Sequence, residues 1–143
     1  MFEQENSNVI QASYAAWNAH DLETYSQLRT EDFLSEQPGA PAPLNREQSR
    51  LFAQVYQTAF PDARIEVTLL IAQGTYVVAH TTATGTHTGP LSTPTGRSIP
   101  ATGKPVVMKA SETHELKGGK IVRSWSFADL ASLLGQLGVL PPL

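Results

Sequence analysis

The chain has no cysteine, which excludes a disulfide framework and any chemistry that runs through a thiolate. Charge is sparse at 16% of residues, and the 10 basic side chains are interspersed with 13 acidic ones rather than clustered. Such a surface does not match a phosphate backbone, so nucleic acid is not an expected partner. No apolar run approaches the roughly 20 residues that cross a bilayer, and Met1-Phe2-Glu3-Gln4-Glu5-Asn6 is acidic where a secretory signal is basic and then apolar. The expectation is a cytoplasmic protein with no membrane partner. Glycine-rich phosphate loops and metal-ligand spacings are missing too, so neither a cofactor nor a metal is expected.

What remains is 143 residues, 41% of them hydrophobic. A chain of that length buries about 70% of the surface its unfolded form exposes, enough for one domain over 1–143 with a core and a cavity. Ile10, Tyr14 and Trp17 recur at helical spacing within Val9 to Ala19, with Ser7 as a cap. Asp21 caps a second short helix carrying Leu22, Tyr25 and Leu28, and Asp32 to Glu36 has the length of a short strand. Gln37 to Pro43 is too rich in proline for regular structure. Asn45 and Gln48 have capping-box spacing ahead of a third helix on Leu51, Phe52, Val55, Tyr56 and Ala59, which Pro61 ends.

Beyond Pro61 the period changes from 3.6 to 2. Ile65, Val67, Leu69 and Ile71 alternate with Arg64, Glu66, Thr68 and Leu70 in one strand, and Tyr76 to His87 forms a second. Thr88 to Lys104 carries Gly89, Pro90, Pro94, Gly96, Pro100 and Gly103, which exclude helix and central strand and point to a lid, a binding loop or a flexible segment. A strand from Val106 to Leu116 follows, and Gly118-Gly119 supplies a two-residue hairpin turn into Ile121 to Phe127. Leu130, Leu133, Leu134 and Leu137 make a last helix, stopped by Gly138 and Pro141-Pro142. Helices first and an antiparallel sheet afterwards predict an α+β fold with the helices on one sheet face.

Several short motifs stand in order along nearly the whole chain: Trp17-Asn18-Ala19-His20-Asp21, Phe60-Pro61-Asp62, Gly85-Thr86-His87-Thr88-Gly89-Pro90, Pro100-Ala101-Thr102-Gly103-Lys104, Gly119-Lys120-Ile121-Val122, Trp125 with Asp129, and Gln136-Leu137-Gly138. In these the chain resembles the SnoaL-like polyketide cyclases, of the superfamily that includes nuclear transport factor 2, ketosteroid isomerase and scytalone dehydratase. The resemblance implies a cone-shaped domain with N-terminal helices packed on a curved, mainly antiparallel sheet, a short C-terminal helix, and a homodimer or higher homo-oligomer formed through the outer sheet face. It also implies an intramolecular aldol closure of a small hydrophobic, polyketide-like carbonyl compound, without metal or covalent intermediate. One aspartate in an apolar pocket acts as general acid and base. By that resemblance the aspartate is Asp129, Glu112 and His114 are polar pocket residues, and Trp17 is the pocket aromatic.

The residues themselves leave alternatives open. Asp129, directly before Leu130-Ala131-Ser132-Leu133, also has the place of a helix N-cap, worth about 0.5–2 kcal/mol, and a capped carboxylate is a poor acid. Strand alternation sends Met108, Ala110, Glu112, His114 and Leu116 to the core. A plain two-residue turn then pairs Leu116 with Ile121, His114 with Arg123 and Glu112 with Trp125, and carries Phe127 and Asp129 to the same face. Glu112, His114, Arg123 and Asp129 converge in that register, with Trp125 and Phe127 beside the substrate and His114 a second catalytic candidate. Alternatively Glu112 and Arg123 form a plain ion pair. His87 either touches ligand or marks a kinked strand end. Tyr14 either packs in the core or donates to an enolate oxygen. His80 belongs on the outer sheet face. Two other activities fit this inventory: a ketosteroid-isomerase-like proton shuttle on Asp129 or Glu112, and a hydrophobic-ligand binder with no catalysis.

Overall fold

A computed structural model describes residues 2–93 and 96–140. Its elements are α1 (Phe2–Asn18), α2 (Leu22–Gln27), β1 (Arg29–Glu36), β2 (Leu44–Asn45), α3 (Arg46–Ala59), β3 (Arg64–Gln73), β4 (Tyr76–Thr86), β5 (Leu91–Ser92), β6 (Ser98–Ile99), β7 (Pro105–Lys117), β8 (Lys120–Ala128) and α4 (Leu130–Gln136). Six strands make one sheet in the order β2-β1-β8-β7-β4-β3, antiparallel throughout except for the β1–β8 pair. The α+β architecture expected from the sequence is the one observed. Among the described residues no helix is long and apolar enough to cross a membrane.

Local chemistry accounts for most element ends. The Asp21 carboxylate accepts from the Thr24 amide and opens α2, while Asn45 and Gln48 form the reciprocal capping box of α3. Gly118 and Gly119 take φ of 60° and 79°, the paired positive angles of a tight hairpin turn. Helix α1 departs from expectation: it begins at Phe2, so Ser7 lies inside it and caps nothing. Glu3 and Glu5 favour the positive end of the helix, and the Glu3 carboxylate accepts from the Gly74 amide in the β3–β4 turn. A tertiary tie of that kind leaves no periodicity to read. Strand β1 also starts early, because Arg29 pairs with Ile121 of β8.

Two register slips change which side chains point inward. Between Val67 and Leu69 the β3–β4 pairing shifts, so Leu70 and Ala72 pack on the core while Leu69 and Ile71, expected inside, are exposed. In the β7–β8 hairpin Leu116 opposes Ile121, yet Glu115 opposes Arg123, leaving Val122 as an extra residue in β8. Side chains alternate with a period of two, so one extra residue sends everything beyond it to the opposite face.

The segment expected as a long loop contains the small β5–β6 ribbon, in which Leu91 pairs with Ile99. Pro94 in this segment and the stop at Pro141-Pro142 lie outside the described residues. The loop's start is pressed against α3: the amides of Thr88 and Gly89 both donate to the Ala59 carbonyl, and a Cβ on Gly89 would sit 2.1 Å from the Thr58 carbonyl oxygen. Only glycine fits there.

Buried apolar residues fall into two clusters. One joins Ile10 and Tyr14 of α1 to Phe33, Val77, Leu116 and Ile121, and the other joins Phe60 to Leu91, Val106, Leu133 and Leu137. Tyr14 and Phe33 of the first, and Phe60, Val106 and Leu133 of the second, also line a cavity, which therefore lies between the two cores.

Candidate active site

The cavity is walled by α1, α3 and the inner sheet face, and encloses about 150 Å³ measured for the centre of a water molecule. Aromatic rings of Tyr14, Trp17, Tyr25, Phe33, Phe52, Tyr56 and Phe60 form much of it, and its floor on β7 and β8 is small: Ala110, Ser124, Ser126 and Ala128. Its charged and imidazole side chains are Glu112, His114 and Arg29, and Glu112 is the one carboxylate among the lining residues.

These groups form a chain of hydrogen bonds. The Tyr14 hydroxyl donates to Glu112 Oε1 at 2.7 Å and lies 2.9 Å from His114 Nε2, while His114 Nδ1 lies 2.7 Å from Ser124 Oγ. Tyr14 has a single proton, so with that proton on Glu112 the His114 Nε2–H must donate to the tyrosine oxygen. A neutral imidazole then accepts at Nδ1 from the Ser124 hydroxyl. Every partner is satisfied with Glu112 ionised and His114 neutral. Electrostatics agree: burial, with Arg29's charge second, pushes His114 from 6.5 down to about 3. Burial, then the neighbouring Glu112 charge, raises Tyr14 well above 10, so it stays a donor. No described residue bonds Glu112 Oε2.

His114 makes stability pH-dependent in a defined direction. Its folded value lies below its unfolded one, so the unfolded chain binds the proton more readily and the stabilisation, full above about pH 6.5, is lost as pH falls toward 3. The gap corresponds to roughly 4–5 kcal/mol at its limit. Melting temperatures measured from pH 7.5 down to 4.5 should fall steeply in the wild type and less steeply in His114→Asn; parallel curves would show that His114 is not the group involved.

The sequence expectations meet this geometry unevenly. Trp17, Tyr14, Glu112 and His114 line the cavity together. Asp129 does not: it is exposed, and its carboxylate accepts from the Ser132 amide as the N-cap of α4. The Val122 slip is the physical reason. It sends Arg123, Trp125 and Phe127 outward as well, where Phe127 is 73% exposed and Arg123 lies over Trp125 and 3.8 Å from Glu36 rather than near Glu112. In their place the slip delivers Ser124, Ser126 and Ala128 to the cavity, which the plain hairpin register missed. Arg29 was missed too, because β1 begins before its apolar pattern does.

His87 is fully buried but outside the cavity wall, its ring 5.2 Å from that of Phe60 and tilted 35° to it. Its Nδ1 accepts from the Thr102 amide, and its backbone bonds Lys104 and Gly103, so it pins the two ends of the long loop together. His80 is exposed on the outer sheet face. Among the described residues no cluster of three or more ligand-type side chains could hold a metal.

As a cap and nothing more, Asp129 has a measurable signature. Asp129→Ala should lower stability by about 1 kcal/mol and leave proton-transfer rates within about twofold. Calorimetry and the exchange assay described below check both halves.

Several recurring motifs turn out to be fasteners. Asn18 bonds both backbone groups of Ile65, Asp62 accepts twice from Thr86, and the Gln136 amide bonds both backbone groups of Val107, tying α4 to β7. His20 takes φ of 59° between α1 and the Asp21 cap.

Solved structures share this fold. IdmH of Streptomyces antibioticus, a proposed polyketide cyclase, is 31% identical, with a TM-score of 0.79 over 94% of this chain and 99% of its own. AclR of Streptomyces galilaeus, a proposed hydroxylase, is 26% identical, with a TM-score of 0.83 over 96% and 98%. An LEH-like epoxide hydrolase of Mycobacterium tuberculosis shares the fold at 15% identity, with a TM-score of 0.69 over 94% and 90%. No curated protein matches the sequence. The model of the SnoaL-like polyketide cyclase family matches residues 7–137, and the chain belongs to that family.

Proposed function

We propose that the protein catalyses proton transfer at a carbon next to a carbonyl, in an aldol-type ring closure of a polyketide-like compound, with Glu112 as the general base and acid. The observation that carries this reading is the Glu112–Tyr14–His114–Ser124 chain in a mostly apolar, aromatic-rich cavity. Glu112 Oε2 takes the proton from the carbon, the enolate carbon attacks the second carbonyl, and the same proton passes from Glu112 to the resulting alkoxide oxygen. Tyr14 holds the carboxylate through Oε1. His114 and Ser124 act as positioning residues, since each reaches Glu112 only through Tyr14. A half-buried carboxylate lining the cavity also favours an enzyme over a passive binder, because it puts a base beside whatever the cavity holds.

Family membership supports the cyclase reading over other carbonyl chemistries. The test needs no knowledge of the natural substrate. With 2-tetralone in D2O, NMR should show deuterium entering the position next to the carbonyl faster with protein than with buffer alone. Exchange at the buffer rate would count against the reading.

A further inference from the structure

Arg29 is 3% exposed and lines the same cavity, yet it pairs with no carboxylate among the described residues. Its guanidinium is held by packing rather than by charge: it lies 3.6 Å from the Tyr25 ring centroid and 5.2 Å from that of Phe33, and Nη1 donates to the Tyr25 carbonyl at 2.6 Å. Nε is buried with no partner. The cavity's one carboxylate, Glu112, lies beyond ion-pair distance and has Oε1 bonded to Tyr14. A guanidinium cannot shed its proton to escape the cost of burial, as a lysine would. A buried cation with unused donors is therefore incomplete until an anion arrives.

A purely structural role for Arg29 would be to cap the last turn of α2 through the Tyr25 carbonyl. One N–H is enough for that, and it does not explain a buried charge in the wall of a mostly apolar cavity. We infer that Arg29 is the anchor for an anionic oxygen of the substrate, a carboxylate or an ionised phenol, so that the cavity takes acidic aromatic or polycyclic carbonyl compounds. The inference rests on the proposed proton-transfer site and gives it an orientation. Seated on Arg29 and repelled by Glu112, the acidic group fixes which end of the molecule faces the base. Both charges sit in one low-dielectric space, where the preference is strongest.

The chain's formal net charge is -3, so the overall field disfavours anions and a preference for them must come from a local group. Calorimetric titration with 2-naphthoate and its neutral counterpart 2-naphthamide tests this directly. Wild type should bind the naphthoate about tenfold or more tightly than the amide, as a charge-assisted pair to guanidinium implies. In Arg29→Met the two should bind within about twofold of each other, and Arg29→Lys should retain part of the preference. Glu112→Gln should keep or increase the preference while failing to exchange 2-tetralone, which separates anion anchoring from proton transfer. Equal binding of both probes to wild type, binding of neither, or a preference that survives Arg29→Met would overturn the inference. The wild-type comparison holds even if Arg29→Met does not fold.

Discussion

Glu112→Gln is expected to slow deuterium exchange into 2-tetralone by about 10²–10⁴-fold, the usual range for loss of a positioned general base. The change is nearly isosteric. The glutamine carbonyl can still accept from Tyr14, so the hydrogen bonds through His114 to Ser124 have no reason to break. Only basicity is removed. The melting temperature should stay within a few degrees of wild type, and a rate loss without a stability loss identifies chemistry rather than damage. The comparison with Asp129→Ala is decisive because the two variants predict opposite patterns: the cap variant loses stability and keeps its rate. If Asp129→Ala abolished exchange while Glu112→Gln retained it, the base would be Asp129 and the cavity assignment would fall.

The second large effect concerns a residue with no chemistry. Inserting one alanine between Val122 and Arg123, with the Val122 slip kept, moves the rest of β8 by one place, so that Arg123 opposes His114, and Arg123, Trp125 and Phe127 turn into the cavity and Ser124 out of it. An unpaired guanidinium forced inside costs about 3–5 kcal/mol, a large part of the roughly 5–15 kcal/mol that holds a domain of this size together. His114 loses its serine partner at the same time. A drop in melting temperature of about 10–20 °C, or loss of a cooperative transition altogether, is expected. Inserting one alanine after Ala42 in the proline-rich loop is the control and should have little effect. An insertion variant that melted like wild type would mean the slip is not what orients the strand, whereas deleting Val122 itself keeps Glu115 opposite Arg123 and His114 opposite Ser124 and should cost far less.

Val122 also marks the limit of what the sequence disclosed. Helix caps at Asp21 and Asn45, the Gly118-Gly119 turn and the inward parity of Glu112 and His114 were legible because each depends on neighbours within a few residues. The slips at Thr68 and Val122 were not, since neither position has a glycine or proline to announce it, and a one-residue shift inverts every later side chain. Asp129, Trp125 and Phe127 were misplaced for that one reason. Arg29 was missed for another: a charged residue ahead of a short strand reads as surface, and only the tertiary sandwich between Tyr25 and Phe33 shows that it is enclosed. The motifs carried the fold well because Asn18, Asp62 and Gln136 are joints between elements. Joints say little about which carboxylate reacts.

The floor of small side chains has a consequence for how such a site diversifies. Ala110 and Ala128 have nothing to bond, and the Ser126 hydroxyl makes no hydrogen bond among the described residues, so no fastening of the sheet depends on these three positions. Their side chains set the depth of the space. Lineages can therefore deepen or fill the chamber one residue at a time, trading empty volume for packing, while the acid and its tyrosine stay in place. The depth of the chamber is thus set on residues of β7 and β8 other than those that form its hydrogen-bonded chain.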